Sequence, residues 1–351
     1  MMRKRMLSMM VAVTLIAGML VGCSTPKDDT KKETAKAAEE GASKSGGDET
    51  YNIGYCNQQL KEDFFITVEA GLKKAAEDAG YEYNLATTDR DSTKMASSID
   101  TLQTMGADII VDFNCLPEQG AASAEKLQGE GIPMLAVDSD YGDVAYFFGV
   151  NNYDAGETLG NGMKDFVESK FDGSLDYVVC LWDSQAGDSI KDRCLGGADV
   201  LVEAYGLGED QVVWLDMMAD DTKTRSMTQD WLESHPDAKK IAFIGQNDDR
   251  GYAITQAVLA TGREGDSIVG SHNADPSAVE NFQKQDEANP WVLTVSYESY
   301  NYGSQIFDYV KAILSGDAEG EKERFAKTML VTCDNVEEYV KERDEVEATF
   351  K

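Results

Sequence analysis

Residues 241–273 read IAFIGQNDDRGYAITQAVLATGREGDSIVGSHN. The apolar run Ile241–Ile244 stops at Gly245, and Gln246, Asn247, Asp248 and Asp249 follow at once. Apolar residues then recur at Tyr252, Ala253, Ala257, Val258 and Ala260, and Ile268–Val269 closes the stretch at Gly270. Apolar run, polar edge, amphipathic helix and second apolar run make one βαβ unit of a parallel sheet. Ligands of such sheets bind beyond the carboxyl ends of the strands. Asn247, Asp248, His272 and Asn273 stand at such ends.

The same unit repeats outward in both directions. Apolar runs that predict buried strands fall at 51–56, 82–86, 108–113, 132–137, 145–150, 176–181, 211–217, 241–245, 267–270, 291–297 and 327–332. Amphipathic segments that predict helices fall at 64–79, 92–105, 118–130, 153–169, 189–205, 222–235, 249–261, 275–284 and 299–315. Gly80, Gly106 and Gly131 stand where helices should end. This alternation predicts a doubly wound α/β architecture, and eleven strands exceed one ordinary sheet, which predicts two.

The chain has 351 residues, 42% of them hydrophobic, enough for two domains with real cores. It carries 32 basic and 64 acidic residues, a net charge of −32. Residues 1–22 carry +3, residues 24–50 carry −2, and the remainder −33. Such a body repels nucleic acid, whose binding rests on phosphate neutralisation, and anionic lipid. Its acidity reads first as a solubility device.

Arg3, Lys4 and Arg5 precede an apolar run from Met6 to Val21, the form of an export signal. It ends Leu20-Val21-Gly22-Cys23, which resembles the lipobox of bacterial lipoproteins, with a signal peptide over 1–22 and lipidation at Cys23. Acyl chains would hold the protein at a cell membrane through buried methylenes, about 0.8 kcal/mol each. Residues 24–50 lack aromatics and are rich in Lys, Asp, Glu, Thr, Ala, Ser and Gly. They cannot bury enough apolar area to fold, so residues 23–50 read as a lipidated cysteine and flexible tether.

The remaining cysteines, Cys56, Cys115, Cys180, Cys194 and Cys333, have no short-spaced pair. Cys56, Cys115 and Cys180 end strands and read as buried thiols; a Cys180–Cys194 disulfide is the alternative. His235 and His272 are far apart, no cysteine pair has zinc spacing, and no calcium loop occurs. No metal or cofactor is expected. A Gly-x-Ser-x-Gly elbow and a phosphate loop are also missing. Asp248 and Asp249 are paired carboxylates that a glycoside hydrolase reading could use, but adjacent side chains point differently and nothing marks a second carboxylate at a suitable distance, so no enzyme is expected.

Four local patterns carry a resemblance: Asp63-Phe64-Phe65 after the first strand; Gly131-Ile132-Pro133 leading to Val137-Asp138; Lys191-Asp192-Arg193 followed by Gly196; and His235-Pro236-Asp237 before Gln246-Asn247-Asp248. In this order they resemble the type I periplasmic sugar-binding proteins, the ribose- and galactose-binding group, across residues 51–345. The resemblance implies two similar doubly wound parallel-sheet domains joined by three crossover strands, with the ligand between them. Carried over, the N-terminal lobe is 51–151 plus 299–327 and the C-terminal lobe 152–298 plus 328–351. Crossovers then fall near Asn151–Asn152, Glu298–Ser299 and Lys327–Thr328.

The resemblance also implies site roles. Phe64 and Phe65 would pack on the apolar face of a sugar ring. Asp138 would accept bonds from sugar hydroxyls; Ser139 follows it where ribose binders have arginine. Lys191 or Arg193 would donate to sugar oxygens. Asn247 and Asp248 would bind vicinal hydroxyls, although one of them could instead cap the next helix. His272 or Asn273 takes the place of a family aspartate, and Tyr297 or Glu298 that of a glutamine or asparagine. Asn114 and Glu62 are weaker candidates. Ala219 stands where the family has a second aromatic, and Trp182 is the expected substitute.

The expected function is that of an extracytoplasmic, lipid-anchored solute-binding protein. It would deliver a carbohydrate, a neutral monosaccharide, to the permease of an ABC transporter. The alternative is a sensory protein that presents its ligand to a membrane receptor kinase or chemoreceptor. A monomer is expected.

Overall fold

A computed structural model describes residues 50–351, apart from residues 115, 187, 219, 220 and 287. The export signal over 1–22, Cys23, the tether as far as residue 49, Cys115 and Ala219 lie outside the described residues.

The first half of the chain gives β1 (Asn52–Asn57), α1 (Asp63–Asp78), β2 (Glu82–Thr87), α2 (Met95–Thr104), β3 (Ile109–Phe113), α3 (Pro117–Gly129), β4 (Met134–Val137) and β5 (Tyr146–Gly149). The pattern then repeats as α4 (Asn152–Phe171), β6 (Tyr177–Trp182), α5 (Asp188–Tyr205), β7 (Val212–Asp216), α6 (Asp221–Ser234), β8 (Ile241–Gly245), α7 (Asp248–Ala260), β9 (Ser267–Asn273), α8 (Pro276–Gln283) and β10 (Trp291–Ser296). It ends with α9 (Ser299–Ser315), β11 (Glu323–Phe325), β12 (Met329–Thr332) and α10 (Val336–Glu347).

Two six-stranded sheets result, with orders β11-β5-β4-β3-β1-β2 and β12-β10-β9-β8-β6-β7. The first five strands of each sheet have the same relative order, so the two halves are one fold built twice. The first sheet is parallel throughout. The second is parallel except at β12, which pairs antiparallel with β10. The chain passes between sheets after β5, between β10 and α9, and between β11 and β12.

Strands buried on both faces explain the continuous apolar runs. Ile53 and Tyr55 of β1 enter one core, and Cys56 enters the core on the other face. Val178 and Cys180 of β6 face one core, Val179 and Leu181 another. The core holding Ile53 also holds Val150, Val178 and Tyr297, so it continues through the crossovers. Gly80 and Gly106, with φ of +77° and +83°, turn the chain after α1 and α2.

All eleven expected strands are present, and a twelfth, β11, is added. Glu323-Arg324-Phe325 is a short, mostly exposed edge strand with no apolar run to announce it. The helix α10 is a second addition. Cys56, Cys180 and Cys194 are free, buried thiols, so the Cys180–Cys194 disulfide does not form.

Candidate functional site

Both sheets present the carboxyl ends of their parallel strands to one cleft. From the first sheet come Asn57, at the end of β1, and Asp138, directly after β4. Asp138 holds a left-handed conformation, φ +57°. Its Oδ1 accepts from the Tyr302 hydroxyl of α9. Tyr302 in turn lies edge-on to Phe64 (5.5 Å between centroids) and to Phe148 (5.0 Å). Asp138 is exposed to solvent, although the protein around it partly desolvates its carboxylate. That desolvation raises its pKa, against the Tyr302 bond and the positive charge of Arg193, which lower it.

Arg193 belongs to α5, which covers the second sheet. Its Nε donates to Asn152 Oδ1 at 2.6 Å, and its guanidinium lies 4.8 Å over the Tyr297 ring. The backbone makes this possible. A Cβ at Gly156 of α4 would stand 2.4 Å from the Arg193 carbonyl, and one at Gly196 would stand 2.2 Å from the Tyr153 carbonyl. Bare glycines let α4 and α5 touch, and so bring Arg193 to the first residue of α4.

His272 is fully buried at the end of β9 and stacks at 22° on Tyr297, 6.2 Å between centroids. Burial and the Arg193 charge hold its pKa well below the ordinary histidine range. Neither ring nitrogen makes a hydrogen bond of standard geometry, and the Arg193 backbone acts on the ring as an acceptor. The Tyr297 hydroxyl, Asn57 Nδ2 and Gln59 Nε2 are likewise buried and unpartnered. Buried polar atoms are normally paired. Of these groups, His272 and Tyr297 lie against Arg193, and with Asp138 they make a set of donors and acceptors suited to a small hydroxylated molecule. Asn57 and Gln59 escape the sequence reading, although the polar triplet Asn57-Gln58-Gln59 directly after an apolar run is the signal for them. Asn152 and Tyr302, which hold Arg193 and Asp138, give no signal.

The members of the three pairs that the sequence leaves open sit in different surroundings. Arg193 reaches the cleft. Lys191 does not: its ammonium lies 4.8 Å from both the Trp182 and Trp214 ring centroids. Asn273 lines a cavity of about 390 Å³ together with Asp63 and Phe64, a cavity that Asp138, Arg193 and Tyr297 do not line, whereas His272 lies fully buried against Tyr297. Tyr297 carries Arg193, whereas Glu298 accepts from Asn301 Nδ2 at 3.2 Å. Of the aromatic pair, Phe64 lines the cavity and Phe65 packs on Phe113 at 5.0 Å.

Other expectations meet structural partners instead. Asp248 is fully buried. It accepts from Ser271 (2.6 Å), Thr294 (2.7 Å) and the Asp275 backbone N–H (2.6 Å), which leaves no face for a ligand. Asn247 caps α7 through the Arg250 N–H at 3.2 Å and keeps its amide NH2 uncommitted. Asn114 is engaged by Asp112, Thr88 and the Cys56 carbonyl at 2.6, 2.6 and 3.1 Å. Glu62 pairs with Arg90 on the surface. Trp182 spends one ring face on Lys191 and so makes a poor second wall for a sugar. Among the described residues there is no cluster of metal-ligating side chains, and no helix is long and apolar enough to cross a membrane.

A family profile described as a periplasmic binding protein domain matches residues 53–318. The ribose import binding protein of Bacillus subtilis is 22% identical over 258 residues, 72% of this chain and 77% of its own. The L-arabinose-binding periplasmic protein of Escherichia coli is 22% identical over 314 residues, 86% of this chain and 93% of its own. Among solved structures, an arabinose-binding protein from Geobacillus stearothermophilus superposes with a TM-score of 0.69 at 17% identity, covering 83% of this chain and 99% of that one. An ABC transporter solute-binding protein from Mycobacterium smegmatis with bound glycerol gives 0.66 at 21% identity, over 83% of this chain and 96% of that one. At such identities the superpositions speak for the fold.

Proposed function

Because the chain belongs to the periplasmic binding protein domain family, a family of binding proteins and not of enzymes, we propose that it captures a neutral monosaccharide between two lobes and delivers it to an ABC importer. The lobes are 51–151 with 299–327, and 152–298 with 328–351. The observation that carries this reading is the pairing of Asp138 on one side of the cleft with Arg193 on the other, amid unpartnered buried N–H and O–H groups. A carboxylate accepts from sugar hydroxyls and a guanidinium donates to sugar oxygens, so the two together suit a neutral polyol ring. Phe64 offers it an apolar face. Asn57, Gln59, Asn247, Asn273 and Tyr297 supply further polar contacts. A ligand that bridges the lobes favours the closed state through its differential affinity for it. Export and lipidation at Cys23 would place this body outside the cell membrane, on a tether.

Thermal melting against pentoses, hexoses and polyols, with ribose and arabinose included, tests the reading. Ligand at 1,000 times its Kd adds about 4 kcal/mol, an easily read shift. One or two selective sugars would support it; no shift with any would overturn it.

A further inference from the structure

The last helix is seated in the second lobe. Val336 and Tyr339 of α10 are fully buried there, Val340 and Val346 pack on the same core, and Ser296 Oγ donates to the Tyr339 hydroxyl at 3.2 Å. The chain does not stop in that lobe. Its final turn, Ala348–Phe350, lies against α1 of the first lobe. The Phe350 ring comes within 3.3 Å of the place where a Cβ on Gly71 would stand. Gly71 itself faces Gly303 of α9, and a Cβ on Gly303 would stand 2.3 Å from the Leu72 nitrogen. Phe350 therefore covers the seam where the two first-lobe helices pack glycine to glycine. Between these anchors, Arg343 and Glu347 line the same cavity as Asp63 and Phe64 from one lobe and Asn273 and Asp275 from the other.

We propose that residues 336–350 form a strap across the mouth of the cleft, a noncovalent fourth tie beside the three crossovers, which limits how far the lobes part. The two anchors differ in strength. Tyr339 and Val336 are sealed in a core, whereas Phe350 is half-buried on a surface seam. Opening beyond the strap's reach therefore unseats Phe350 and leaves α10 in place. The proposal rests on the two-lobe reading above, but not on which ligand the cleft holds.

Small-angle X-ray scattering without any sugar tests it. The described residues from Thr50 onward form one compact unit with their own cores, so the chain from Thr50 serves. Phe350→Ala, and deletion of the four residues after Glu347, should each enlarge the radius of gyration of the sugar-free protein, while Phe350→Leu should stay near wild type. Radii equal to wild type in both the Phe350→Ala and the truncated chains would overturn the proposal. Because no sugar is present, this outcome is separate from whether the cleft takes a carbohydrate.

Discussion

The Nε of Arg193 donates to Asn152 Oδ1 at 2.6 Å, so the one guanidinium that faces Asp138 is held by the first residue of α4, where the chain has just entered the second sheet. The Asn152 amide also donates to Ser189 Oγ at 2.9 Å, which fixes its own orientation. The start of α4 and the charge that faces Asp138 are thereby one unit. Arg193→Ala should weaken sugar binding by about 1.5–3 kcal/mol, roughly ten- to a hundred-fold in Kd, as expected for bonds to a charged group. Asn152→Ala should weaken it less, by about 1 kcal/mol, because it loosens the guanidinium without removing it. Titration calorimetry checks both; equal affinity in Arg193→Ala would remove Arg193 from the site.

Asp248 separates an anchor from a ligand group. Its carboxylate gathers Ser271, Thr294 and the Asp275 N–H in a site closed to solvent. Asp248→Ala leaves those donors buried without an acceptor and should destabilise the fold by about 1–3 kcal/mol per orphaned group. Binding measured well below the lowered melting temperature should survive. A chain that melts like wild type but binds poorly would return Asp248 to the ligand.

His272 makes a signed prediction about pH. Its folded pKa lies well below the unfolded value, through burial first and the Arg193 charge second. Native His272 therefore stays neutral while the unfolded chain takes up a proton. The stability this group holds above pH about 6.5 is lost as pH falls, by up to about 1.4 kcal/mol per unit. Asp112 and Asp275, whose pKa values burial raises to about 6, act in the opposite direction between about 4 and 6. The comparison of wild type with His272→Asn isolates the histidine. Melting temperatures at pH 7.5 and 5.5 should fall further in wild type than in the variant; parallel falls would refute the assignment.

Cys23 carries the proposed anchor. Cys23→Ala should move the exported protein from the membrane fraction to the soluble fraction without altering sugar affinity, since the cleft residues all lie beyond residue 50. An unchanged distribution between fractions would count against lipidation.

The architecture is legible in the sequence because parallel strands covered on both faces are unbroken apolar runs, as at Ile241–Gly245 and Tyr177–Trp182. Pairing alone makes β11, and Glu323-Arg324-Phe325 has no pattern that foretells it. The apolar positions of α10, Val336, Tyr339, Val340 and Val346, are too sparse to stand out among its acidic residues. In the candidate site, the strand-end rule selects neighbourhoods and not one member of each pair. His272 and Asn273 differ by the one-residue alternation of side-chain direction at the end of β9, whereas Tyr297 and Glu298 follow β10, where the chain leaves the strand and Glu298 turns left-handed (φ +47°). Lys191 and Arg193 are separated by two indoles, Trp182 and Trp214, that come together only when β6 and β7 pair. Asn152 and Tyr302 act from other elements, and no local spacing links them to the groups they hold.

The most direct measurement is a calorimetric titration of the sugar that gives the largest melting shift into wild type and into the Asp138→Asn, Arg193→Ala double variant. Wild type should show one site per chain, and a double variant that still melts cooperatively should show no measurable binding. Undiminished binding in the double variant, or no heat from any sugar with wild type, would contradict the proposed function.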